Sequence, residues 1–187
     1  MPPKVKITRE MVTEAGFEIV REMGIEKVNV RKIAERLNCS TQPVLYNFKT
    51  IEEIKRAIYE KADIFHTEYL MNIRDNDIML GIGLNYIRFA INEPNLFRFL
   101  FQSGYAKEHS LLEMINSDEL KPVLAAMSQA MGATEEKTKE IFLTIALFAH
   151  GYASIIANNS LEFDEKSAVK HLTNAYRGAV LAAKEEE

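Results

Sequence analysis

The sequence predicts an all-α protein, a compact three-helix head followed by a larger helical bundle. Three observations carry that expectation. Apolar residues recur at i, i+3, i+4 and i+7 in nearly every segment, no stretch alternates apolar and polar residues as a half-buried strand does, and residues suited to cap helices stand where the periodic runs begin and end. Of the 187 residues 47% are hydrophobic, enough for a buried core.

Thr8 is placed to cap a first helix whose apolar face is Met11, Val12, Ala15, Ile19 and Met23, and Gly24 supplies its stop. Val30, Ile33, Ala34 and Leu37 form a short second helix with Asn29 as its cap. Asn38-Cys39-Ser40 interrupts, and Ser40 can cap a third helix that carries Val44 and Phe48 on one face. Pro43 then falls in the first turn, where backbone N–H groups have no internal partner, so it costs little. A fourth helix begins at Ile51 and runs to about Asn72, with Ile54, Ile58, Ala62 and Phe65 inward. Residues 74–77 read as a turn. Helical patterns follow at about 77–92, 95–104, 109–131 (broken near Pro122), 135–158 and 165–184.

The segment 141–161 contains no charged residue and has the length of a membrane span. His150, Asn158, Asn159 and Ser160 interrupt it, and Ala146, Ala149, Gly151 and Ala153 would let another helix approach closely. It is therefore expected to be a core or dimer-interface helix, with no membrane contact. A single Cys cannot form an internal disulfide, which points to a reducing, cytoplasmic setting. Met1 to Arg9 carries no apolar run, so no signal peptide is expected. The net charge of −4 argues against a chain that coats nucleic acid along its whole surface. The charge is uneven, however: residues 1–60 hold 11 Lys/Arg against 9 Asp/Glu, and the remainder 12 against 18.

Two helices joined by a short turn, the second with a dense polar surface, form a helix-turn-helix. To read DNA, such a unit needs a narrow helix for the major groove, polar side chains near its N-terminus and cations for phosphates. Thr41, Gln42, Tyr46, Asn47 and Lys49 fall away from the Val44/Phe48 face. Gln42 can pair bidentately with adenine, Thr41 and Pro43 can pack on a thymine methyl, and Lys49 can neutralise a phosphate. Arg31, Lys32 and Arg36 suit phosphate contact, and a solvated helix face explains them equally well.

The residue choices in the segment are more specific than its spacing. Val30-Arg31-Lys32-Ile33-Ala34-Glu35-Arg36-Leu37, then Asn38-Cys39-Ser40-Thr41-Gln42-Pro43-Val44, then Phe48-Lys49-Thr50 and Glu52-Glu53-Ile54, resembles the tetracycline-repressor (TetR) family of bacterial regulators over about residues 5–60. Asn92 to Phe101 and Ala149-His150-Gly151-Tyr152-Ala153 resemble segments of one subset of that family, without the Trp often found beside the His-Gly pair. Leu45 stands where the family usually has a phosphate-contacting Tyr, Asn47 where His or Tyr is common, and Ile51 where a Lys usually touches the backbone. Each lost phosphate contact lowers the expected salt slope by roughly one unit. Tyr46, Lys49 and Lys55 are the candidates to replace them.

The resemblance implies a helix-turn-helix DNA-binding domain at 1–52 and a ligand-binding and dimerisation bundle at 53–187. It implies a cytoplasmic homodimer that binds double-stranded operator DNA and a small-molecule effector, without cofactor, metal or catalytic residues. The expected DNA-binding residues are Arg31, Ser40, Thr41, Gln42, Pro43, Tyr46, Asn47 and Lys49. For the effector pocket the aromatic residues Phe97, Phe101, Tyr105, Phe142 and Tyr152, with His150, are expected to supply an apolar lining with few charges; core packing explains the run Phe97, Phe99, Phe101 and Tyr105 at least as well. His66, His109, His150 and His171 lack the paired spacing of metal ligands and are expected to be structural. A small helical enzyme or carrier and a protein-binding adaptor remain as alternatives. The enzyme would need a nucleophile–base pair, a phosphate loop or a metal cluster, and none is legible.

Overall fold

The computed structural model describes residues 6–73, 78–105, 110–118, 120–159 and 161–185; the expected turn at 74–77 and His109 lie outside them. Among the described residues every regular element is helical: α1 Arg9–Met23, α2 Val30–Arg36, α3 Thr41–Asn47, α4 Ile51–Met71, α5 Ile78–Asn92, α6 Pro94–Gln102, α7 Leu111–Ile115, α8 Lys121–Met131, α9 Glu135–Asn159 and α10 Glu165–Glu185. The boundaries follow local chemistry. The Thr8 hydroxyl accepts from the Met11 N–H, and Gly24, at φ 88°, ends α1 while its N–H bonds Val20 O. The break expected near Pro122 falls between the end of α7 at Ile115 and the start of α8 at Lys121, and Pro122 itself sits in the first turn of α8, where it removes no helical hydrogen bond.

The chain divides into two compact units, 1–68 with 93–106, and 69–92 with 107–187. The first therefore takes in most of α4 and all of α6 beyond residues 1–52. Its core packs Val12, Phe17, Ile19, Ile33, Val44, Phe48, Ile54, Ile58 and Phe97. α6 lies along α1. The buried Glu93 accepts from both Arg21 Nε (2.8 Å) and Arg21 Nη2 (2.5 Å), and Asn95 donates to the Arg21 carbonyl. The Arg21 guanidinium also stands 5.5 Å from the Phe65 ring centroid.

In the second unit α9 packs along α5, α8 and α10 around Leu84, Leu124, Met127, Ile141, Ile145 and Leu172. α5 and α10 meet at Gly83, where any Cβ would come within 2.7 Å of the buried Leu172 Cδ2. Buried Asn85 donates to the carbonyls of Tyr69, Leu70 and Asn72, closing the C-terminal end of α4 with partners that end lacks internally. α9 is long and apolar enough by composition to cross a membrane, and a third of its most apolar stretch is buried inside the chain. Its small residues divide. Ala149 and Ala153 are buried within the protomer, whereas Gly151 is exposed beside Leu147 and Ile155.

Candidate nucleic-acid interface

α2 and α3 are each two turns long, too short to persist alone, so tertiary contacts hold them. Asn29 Oδ1 accepts from Lys32 N–H at the start of α2. The turn is made by Asn38 at φ 54°, a left-handed conformation that Asn tolerates, and by Cys39 N–H bonding Ala34 O. Ile33, Ala34, Val44 and Phe48 are buried and seat the two helices on α1.

The outward face of α3 carries Gln42, Leu45 and Tyr46. Tyr46 is 78% exposed, and its hydroxyl accepts from Gln42 Nε2 at 2.7 Å, so these two polar side chains, one turn apart, present a joined surface. Ser40 is exposed and makes no capping bond through its side chain, and Thr41 and Pro43 are half-buried in the first turn. Lys49 is exposed on the link to α4, where its backbone N–H donates to Glu53. Arg31 is exposed. Arg36 instead grips Glu22 through two bonds of 2.8 and 2.6 Å, and that guanidinium holds the Glu22 carboxyl below its usual range. Lys55 pairs with Glu52 at 3.2 Å.

Asn47 departs from the outward set. It is half-buried, and its Nδ2 donates to Ile7 O at 3.1 Å and to Pro43 O at 2.9 Å. Arg9 completes that contact: Nη1 donates to Asn47 O at 3.0 Å, and the guanidinium lies 3.9 Å above the Phe48 ring. Nothing in the local spacing marks Arg9, since its partners lie 38 residues or more away. Tyr86 and the Arg21–Glu93 pair carry no local signal for the same reason.

The six residues expected to line an effector pocket fall three in each unit. In the first unit, Phe97 is fully buried against Phe101 (ring centroids 5.1 Å apart), and Phe101 meets His66 edge-on. Tyr105 donates to Glu52 at 2.7 Å, which holds that carboxyl low. In the second unit, Phe142 and Tyr152 are half-buried against the core, and His150 lies between Tyr86 Oη (2.8 Å) and Ser154 Oγ (3.3 Å). Burial lowers the His150 pKa and raises that of Tyr86. A groove of about 620 Å³ between α1 and α4, lined by Arg9, Glu14, Glu18, Lys61 and Ile64 among others, includes none of the six.

No family model matches the sequence. The chain is 24% identical over 172 residues to the uncharacterized HTH-type transcriptional regulator YobS of Bacillus subtilis, covering 88% of this chain and 87% of that protein. A TetR-family regulator from Streptomyces coelicolor superposes with a TM-score of 0.74 at 12% identity, over 100% of this chain and 85% of that one. A TetR-like regulator from Rhodococcus sp. RHA1 gives 0.63 at 14% identity, over 96% and 98% of the two chains. The multidrug binding protein EbrR, complexed with ethidium, gives 0.62 at 13% identity, over 89% and 97%. The helix-turn-helix formed by α2 and α3 and the helices around it thus have the all-α fold of the TetR-family transcriptional regulators.

Proposed function

We propose that the chain is a homodimeric, cytoplasmic DNA-binding regulator, most simply a repressor that releases a near-palindromic operator when a small, largely apolar molecule binds. The observation that carries this reading is α3: a short helix anchored by buried Val44 and Phe48 that turns Gln42 and Tyr46 to solvent, flanked by exposed Ser40, Lys49 and Arg31. That is the arrangement a major-groove helix requires. Residues 1–52 act as the reading head and 53–187 as the effector and dimer part. The similarity to YobS supports the regulatory class, and the fold shared with EbrR, which was solved with ethidium, supports a small-molecule effector.

The dimer uses α9 and α10. Leu147 (48% exposed), Ile155 (57%) and Leu181 (61%) are large apolar side chains left in solvent on these helices. A Cβ added at Gly151 or Gly178 would meet no atom within 4 Å, which leaves room for close helix approach. Effector binding acts on the head through α4, the continuous helix whose C-terminal end Asn85 holds.

Selection of bound duplexes from random DNA tests the reading. Gln42→Ala should cost on the order of 1–3 kcal/mol and relax one base position per half-site. Lys49→Ala should weaken all sequences alike and flatten the salt slope by about one unit. A small helical enzyme, carrier or protein adaptor would show no salt-dependent retention on any duplex, and that result would overturn the proposal.

A further inference from the structure

We propose that Asn47 is a positioning residue of the reading helix rather than a contact to DNA, and that with Arg9 it forms a brace between the segment before α1 and the end of α3. The inference rests on the DNA-reading role of α3 proposed above and assigns the residues that set its aim. Both partners of the Asn47 amide, Ile7 O and Pro43 O, are carbonyl oxygens that only accept, so the amide nitrogen must face them and is turned into the head. The Asn47 carbonyl, among the last of α3, has no partner within its helix, and Arg9 supplies one. The same guanidinium covers the ring of Phe48, the buried anchor of that end.

No side-chain cap closes the opposite end of α3. Ser40 makes no side-chain capping bond, and a helix of seven residues has little rigidity of its own. Val44 and Phe48 are its buried anchors, and the polar bonds at Asn47 add a constraint on rotation about them. A rotation of a few degrees moves Gln42 and Tyr46 together, because they sit one turn apart on the same face. The brace suppresses that rotation. Its loss therefore blurs every base position of the half-site at once, whereas loss of a reader affects one position and loss of a phosphate contact affects the salt slope.

The experiment uses the full chain with Asn47→Ala, Asn47→Asp and Arg9→Lys. Asp cannot donate to Ile7 O or Pro43 O, and Lys keeps the charge of Arg9 but not its flat stacking on Phe48. Circular dichroism melts establish that each variant is folded at the assay temperature; Arg9→Lys leaves the Asn47 amide intact should the others fail to fold. Selected and random duplexes are then compared over a salt series. Asn47→Ala and Asn47→Asp, which lose both amide bonds, should lower the selected-to-random affinity ratio about tenfold, and Arg9→Lys, which keeps them and loses the stacking on Phe48, should lower it by a smaller factor. The loss should spread over all half-site positions; in the charge-conserving Asn47→Ala and Arg9→Lys the random-duplex affinity and salt slope should stay unchanged, and their double variant should be no worse than Asn47→Ala alone. A preference change confined to one base pair, a salt slope lowered by about one in Asn47→Ala, or an unchanged ratio would each overturn the brace. A parent protein that prefers no duplex refutes the DNA-reading proposal itself and is distinguished from those outcomes.

Discussion

His66 on α4 is buried within the first unit, edge-on to Phe101 with ring centroids 5.2 Å apart. Burial pushes its pKa down from 6.5 to about 4, so the folded protein holds it neutral where the unfolded chain protonates it. Above about pH 6.5 both states are neutral and the group has no effect. As pH falls from 6.5 towards 4 the unfolded state binds one more proton, and stability drops; below about 4 the loss is complete. That interval corresponds to about 3 kcal/mol, of which about 2 is lost by about pH 4.5. His66→Leu removes the proton and keeps an apolar side chain of similar volume. Urea denaturation of parent and variant between about pH 7 and pH 4.5, with hydrogen exchange of the α4 amides, measures the difference. Glu22 and Glu52 also lose stabilisation in acid, because Arg36 and Tyr105 respectively hold their carboxyls low, but those contributions are common to both proteins and cancel. The parent should lose about 2 kcal/mol relative to the variant. Parallel curves over this range would mean that His66 is protonated or hydrated in the folded state, and the reasoning would fail.

Three further outcomes are expected. Ile155→Asp and Leu181→Asp, each charging an exposed apolar position, should sediment as folded monomers, whereas Ala153→Asp, fully buried in the protomer, should lose the fold instead. Glu93→Gln should destabilise the first unit by about 1–2 kcal/mol, less than a fully buried pair because Arg21 is 41% exposed and rehydrates; protection of α1 amides should fall while the salt slope of DNA binding stays put. An effector found by thermal-shift screening that lowers operator affinity about 100-fold must itself bind about 100-fold more weakly to the operator complex, a coupling of about 2.7 kcal/mol; equal affinities by calorimetry would show a bundle that does not control the head.

The helices, their order and the helix-turn-helix were legible because their signals are local. A cap such as Thr8 or Asn29 acts on an N–H three residues away, Gly24 stops a helix by its own φ, and the 3.6-residue period identifies Val44 and Phe48 as the buried side of α3. What depends on partners far along the chain was not legible. Asn47 follows the polar pattern of an outward residue, yet a carbonyl 40 residues earlier turns it inward. Glu93 stands where a helix-capping acid would, but its carboxylate goes to Arg21, 72 residues away. The aromatic residues expected to line one pocket lie in two units, because those of 97–105 pack with α1 and α4 while those of 142–152 pack with α5 and α10. In α9 the uncharged run offers no polar side to phase the helix, so Ala149 and Ala153 could be told from Gly151 only by what packs against them. Local spacing decides which residues are helical; only the folded chain decides which neighbour each face receives.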